Sequence, residues 1–266
     1  MSEQHQSTYK DLLTGIQELN QQETTDVYVI SAKQKVKFAP LSVKQQKNIM
    51  SSGIDTDIES LSFTNTLNDI ILENITEKHI PVHVTDRSFI LLQLRLNSVG
   101  SDLIVTEEEK DYSINLKKHI TSCTTKLKSP PNPQFSVKVD SIEITCQVPA
   151  LNVDTNINKQ FTKTAKKSKD GQSPLALTDV IGDLYVHEII KYITRIKVGE
   201  HVVEFDDSVS LQQKLQVFES FPMRVSTEIG NSIRSARKLG DSVLEHDDLP
   251  EGTTLPIDAS LFTTRD

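Results

Sequence analysis

Between Arg87 and Asn97 the apolar residues form no stripe. At about 100° per residue, Phe89, Ile90, Leu91, Leu92, Leu94 and Leu96 point in nearly every direction around a helix. A helix that is apolar all round is buried, so this segment is expected to be the centre of a domain, with every other element packed around it. Thr85 or Asp86 is placed to cap its start and Gly100 to stop it. Through the lost cap, Asp86→Ala should cost about 1 kcal/mol. Arg95 cannot sit unpaired in such a helix and should reach a carboxylate or a carbonyl. The four-residue run Phe89–Leu92 is far short of the ~18 apolar residues of a membrane span.

The flanking segments alternate between the two periodicities. Residues 26–30 and 35–39 read as a hairpin closed by Pro40, and Ser42 with Gln45 makes a capping box before a short helix. From about Asp57 to Glu77, Ile58, Leu61, Leu67, Ile70, Ile71 and Ile75 form one helical stripe, with Asn68 and Asn74 largely off it. Strand alternation takes over at 102–106, 112–116, 135–139 and 142–148, with an Asp140-Ser141 turn. Residues 160–174 are rich in Lys, Thr and Ser without apolar period and read as a flexible loop. Thr178 opens a helical pattern, a hairpin turns at Gly199-Glu200, Ser210 with Gln213 caps another helix, and Pro222 opens a last one ending at Gly240. The sum is α+β: helical N- and C-terminal parts around a strand-rich middle, with flexible polar termini. The expected divisions are an N-terminal arm (1–24), a hairpin plus helical core (25–101), a strand-rich middle with a basic loop (102–176), a helix-hairpin-helix region (177–240) and an acidic C-terminal arm (241–266).

Charge is distributed unevenly. Of 266 residues, 29 are Lys or Arg and 37 Asp or Glu, a net charge of −8. Residues 117–169 hold ten lysines, among them Lys159, Lys163, Lys166, Lys167 and Lys169, against Asp140, Glu143 and Asp154. The remainder is therefore strongly acidic. Such a bipolar chain suits packing of its basic middle against an acidic surface, another copy included; a merely solvated loop is the alternative. Nucleic-acid binding is disfavoured, since no arginines or stacking aromatics interleave the lysines. In the N-terminal arm Leu12, Ile16 and Leu19 keep helical spacing, either as a frayed end or as an anchor for a neighbour. Leu261-Phe262 is the corresponding apolar pair of the acidic arm.

Chemistry is hard to find. Two cysteines, Cys123 and Cys146, cannot make a four-ligand zinc site or a disulfide framework, and both should be free thiols in a reducing cytoplasm. No signal peptide is expected from the opening residues. His79 and His83 are separated by a helix-breaking Pro81. His187-Glu188 begins like a zincin motif, but Lys191 stands where the second histidine belongs. Gly-x-Ser-x-Gly, Walker and Gly-x-Gly-x-x-Gly motifs are absent. Cys123 reads as part of a polar loop among lysines, which would lower its pKa, but no base accompanies it. No enzyme, cofactor or metal is expected.

One segment carries a family resemblance. Leu67–Gly100 joins an amphipathic helix, a Pro-containing link, Asp86-Arg87, an apolar helix ending Leu94-Arg95, and Ser98-Val99-Gly100. It resembles the baseplate hub and hub-assembly proteins of T-even-like contractile-tailed bacteriophages. Val36–Met50 and the stretch from Tyr185 through Val203, Phe205 and Phe218 to Pro222 are similar in order to that family's opening and closing regions. Paired cysteines of some relatives are missing here, so no metal carries over. The resemblance implies a non-enzymatic structural component of the hub region in the virion tail baseplate, made in the host cytoplasm. Its implied partners are other baseplate or hub proteins, the tape-measure protein and further copies of itself. An assembly chaperone absent from the mature particle is the alternative within the family, and a polyanion-binding module using Lys117–Lys169 the alternative outside it.

Overall fold

The computed structural model describes residues 10–12, 14–16, 23–52, 59–127, 132–169, 184–206 and 208–263, the side chains of 59–60 and 164–169 excepted. It is an α+β fold. A hairpin of β1 (Thr25–Val29) and β2 (Gln34–Phe38) leads to α1 (Val43–Ser52) and α2 (Glu59–Asn74). A 3-10 turn, Val84–Asp86, opens α3 (Arg87–Ser98), followed by the hairpin β3 (Asp102–Glu107) and β4 (Lys110–Asn115) and by α4 (Leu116–Lys126). Next come β5 (Gln134–Val139), β6 (Ile142–Gln147), α5 (Leu151–Lys169), a helix at 184–190, β7 (Ile193–Val198) and β8 (His201–Glu204). Helices α6 (Leu211–Glu219) and α7 (Met223–Asp241) complete the regular elements.

Helix α3 is the centre that its residues require. Phe89, Ile90, Leu91, Leu92 and Leu94 are fully buried, and Leu96 is half-buried. The β1–β2 hairpin, α2, β3, β4 and α4 pack around it in one apolar cluster. A second cluster lies between the antiparallel sheet β5-β6-β7-β8 and helices α6 and α7. Helix α7 faces it with Val225, Ile229, Ile233 and Ala236, a stripe at helical spacing. Both capping boxes form: Ser42 with Gln45, and Ser210 with Gln213.

Three expectations need correction. Residues 160–169 continue α5 rather than forming a loop. Cys123 sits buried on α4, not in a polar loop, and burial raises its pKa. The C-terminal segment is no free arm: Val243, Leu249, Leu255, Leu261 and Phe262 are buried in the α3 cluster. Gly240, the expected end of α7, is followed in the helix by Asp241 alone. It lies in the helix against Thr85, and a Cβ there would overlap the Thr85 carbonyl oxygen and come within 3.0 Å of its Cα. Gly240→Ala should therefore cost about 2 kcal/mol through a forced backbone shift, despite the better helix propensity of alanine. Chemical denaturation measures it; a stabilised variant would mean that α7 stands further from Thr85.

Candidate functional site

In the Asp86–Gly100 motif Asp86, Arg87, Arg95 and Ser98 each bond to another part of the chain. Asp86 begins α3 but makes no side-chain cap bond to it. Its carboxylate instead accepts from Ser31 N (2.8 Å), Ser31 Oγ (2.6 Å) and His83 N (2.8 Å), joining the β1–β2 turn to the 3-10 turn. Burial pushes this carboxyl up in pKa, against the bonds from Ser31 and His83 that hold it down. Alanine would leave buried donors unmatched, so Asp86→Ala should cost about 3 kcal/mol rather than the ~1 of a lost cap. Thermal unfolding checks this against Ser42→Ala, a simple cap loss.

Arg95 finds the carbonyl partners its burial demands. It donates to the carbonyls of Leu261 (3.2 Å), Asp102 (2.6 Å) and Gly100. Gly100 adopts a φ of +126°, open to glycine alone at low strain. The Leu261 carbonyl belongs to the C-terminal segment, so Arg95 fastens that segment to the centre. Ser98 Oγ accepts from Leu41 N at 3.0 Å, and Leu94 is fully buried.

Arg87 leads into an internal charge cluster. Its Nε donates to Asn68 Oδ1 (2.7 Å) and a terminal nitrogen to Asp154 Oδ2 (2.5 Å). Asp154 also accepts from Asn68 Nδ2 (2.9 Å) and, on its other oxygen, from Lys191 Nζ (2.7 Å). Lys191 reaches Glu188 as well, at 2.6 Å. Asn158 and Asn65 extend the network between α5 and α2. Burial alone would raise the pKa of Asp154, but Lys191 and Arg87 together hold it below the usual carboxylate range. A cavity of about 240 Å³ adjoins the cluster, lined by Arg87, Asp154, Glu188, Lys191, Tyr192 and the exposed Arg237 among others. Among the described residues no serine or cysteine lines it. Beside the cluster His187 is fully buried, its ring 4.5 Å from that of Phe161, and neither ring nitrogen has a hydrogen-bond partner among the described residues.

The periodicity of α2 concealed this network. Asn65 and Asn68 continue the spacing of Leu61 and Leu72, and Asp154 and Asn158 lead at the same spacing to Phe161. Polar residues in an apolar period were the available signal. Asn68 and Asn74, expected off the buried face, are 0% and 6% exposed.

A second cavity, of about 340 Å³, brings His119, Cys123 and His246 together. His119 Nε2 is 2.7 Å from the Val243 carbonyl and 3.5 Å from Cys123 Sγ. The carbonyl can only accept, so that nitrogen carries a hydrogen and cannot serve as base toward the thiol. Among the described residues no three His, Cys, Asp or Glu side chains could hold a metal ion.

The surface candidates fare differently. Leu12 and Ile16 lie on helical turns and are exposed, 60% and 46%; Leu19 lies outside the described residues. Lys159 pairs with Asp69 at 3.3 Å in solvent, and Lys163 is exposed. Lys166, Lys167 and Lys169 belong to α5, their side chains outside the description. Leu261 and Phe262 are fully buried and cannot anchor a neighbour. Two lone apolar residues look alike in sequence whether they fasten a tail inward or outward.

A family model described as T4 bacteriophage base plate protein matches residues 22–241. The chain belongs to this family. The match contains α3, the internal charge cluster and both hairpin-bearing regions. As a phage baseplate protein, the chain has a structural place in the virion tail among other baseplate proteins. No curated protein and no solved structure matches. No helix among the described residues is long and apolar enough to cross a membrane.

Proposed function

We propose that this baseplate protein is a non-enzymatic structural component of the hub region, acting through protein–protein contacts in the virion. The observation that carries the reading is the use of the motif residues. Asp86, Arg87, Arg95 and Ser98 all bond to other parts of the same chain. They make a rigid body, which a subunit that must transmit force without deforming requires. The titratable groups nearest to chemistry are engaged in packing: Asp154 by two cations, His119 by a carbonyl.

Contact with hub neighbours, the tape-measure protein among them, is assigned to the exposed Leu12 and Ile16 and to the lysines of α5. An apolar anchor supplies contact area and a charged face supplies register. Polyanion binding is the weaker reading, because Lys117 and Lys118 lie on α4, Lys138 on β5 and Lys159 on α5, the last already paired with Asp69. Quantitative mass spectrometry of purified particles tests the proposal. A fixed copy number per virion is the expected result. Absence from every particle preparation, together with a stable complex in infected lysate, would instead make the protein an assembly chaperone.

A further inference from the structure

Among the described residues the four-stranded sheet ends in an open edge: strand β8 pairs only with β7, and all four of its residues are exposed. Val202 and Val203, each 43% exposed, stand on it. The hairpin pairs Val198 with His201 across a two-residue turn, where Gly199 has a φ of +59°. Phe205 N donates inward to Thr194 O. Alternation along an antiparallel ladder then directs the N–H and C=O of His201 and Val203 toward β7, and those of Val202 and Glu204 outward. An edge with free ladder groups and uncharged side chains at its centre is a template for another strand.

We propose that this edge pairs with the β8 edge of a second copy, antiparallel about a two-fold axis through Val203. That register places Val203 opposite its symmetry mate as a non-hydrogen-bonded pair. Val202 then lies opposite Glu204 of the other copy, exchanging two ladder bonds, and the symmetric pair exchanges two more. Three observations select a second copy in this register. Val137, Ile144, Ile196 and Val203 are successive partners across the sheet, so an apolar row ends abruptly at Val203 and the symmetry mate continues it. On the opposite face Lys138, Glu143 and Lys197 alternate in sign toward Val202. Glu204, already paired with Arg195 at 3.1 Å, continues that alternation from the other copy. The competing symmetric register, centred on Val202, would set Glu200 opposite Glu204, a repulsive pair.

The pairing rests on the reading of an assembly subunit and deepens it, but it is tested on purified full-length protein. A monomeric protein would overturn the pairing and leave the copy number in virions to decide the function. In single variants Val203→Cys and Val202→Cys, mild oxidation should crosslink the Val203→Cys protein into a dimer at least tenfold faster, since Cβ atoms of such opposite pairs approach to about 4.5–5.5 Å. The native cysteines are buried and serve as the background. By sedimentation the wild type should be dimeric and Val203→Lys monomeric, with unchanged circular dichroism because the side chain is half-exposed. Faster crosslinking through Val202→Cys, no dimer crosslink at either position, or a Val203→Lys protein that sediments like wild type would each overturn the proposal. The last outcomes would leave the edge to a strand of another baseplate protein or to this chain's own residues 170–183.

Discussion

Replacing Asp154 with alanine is expected to destabilise the protein by about 4 kcal/mol, the cost of breaking a buried ion pair from one side. Asp154 is 1% exposed and its two oxygens hold Arg87 and Lys191. Without it, Arg87, Lys191 and Arg237 line a cavity whose remaining acid among the described residues is Glu188, and Asn68 loses an acceptor. The cluster joins α2, α3, α5 and the end of the helix at 184–190, so the loss should lower the cooperativity of unfolding as well as its midpoint. Lys159→Ala is the matched control. Its pair with Asp69 is exposed on both sides, and such pairs contribute about 0–1 kcal/mol. Urea titration of both variants checks the contrast. Equal small effects would mean that water already screens Asp154.

The second large effect is on acid stability. Burial, with Lys191 nearby, lowers the pKa of His187 to about 4, against about 6.5 in an unfolded chain. Between these values the unfolded state binds the proton and the folded state does not. Stability therefore falls as pH drops through that window and is complete above it. The full span corresponds to about 3 kcal/mol, of which about 2 are lost by pH 5. Asp154, held below its usual range, loses its contribution only at lower pH, beneath the unfolded carboxyl value near 4. His187→Leu keeps an apolar partner for Phe161 and removes the titration. Urea titrations at pH 7.5 and pH 5 should show wild type losing about 2 kcal/mol more than this variant. Equal losses would place the acid sensitivity elsewhere, with His83 and His119 next in line since burial lowers both.

What the residues disclosed in advance follows physical lines. The all-round apolarity of α3 could only mean burial, and Arg95 within it could only mean internal acceptors. The hairpins were legible because alternation and turn residues coincide, as at Gly199. The β3–β4 turn was not, since Glu108 and Glu109 occupy it with φ of 49° and 64°, conformations that glycine or asparagine would have announced. Helix α5 was missed because its inward positions are polar, Asp154 and Asn158, and its C-terminal half has no apolar period. The C-terminal segment was misjudged for a different reason. Leu249 and Leu255 are held singly by irregular backbone and Leu261-Phe262 by one 3-10 turn, so a period of burial never develops. The internal charge cluster joins residues far apart in the chain, Asn68 to Asp154 to Lys191, and no local pattern encodes that meeting.

Where the protein resides in the particle decides its role most directly. Purified tails can be dissociated and the central hub separated from the peripheral baseplate, with each fraction quantified by mass spectrometry against known hub components. The protein should be found in the hub fraction at a fixed ratio to them. Recovery in the peripheral fraction alone, or a ratio that varies between preparations, would contradict a structural role in the hub.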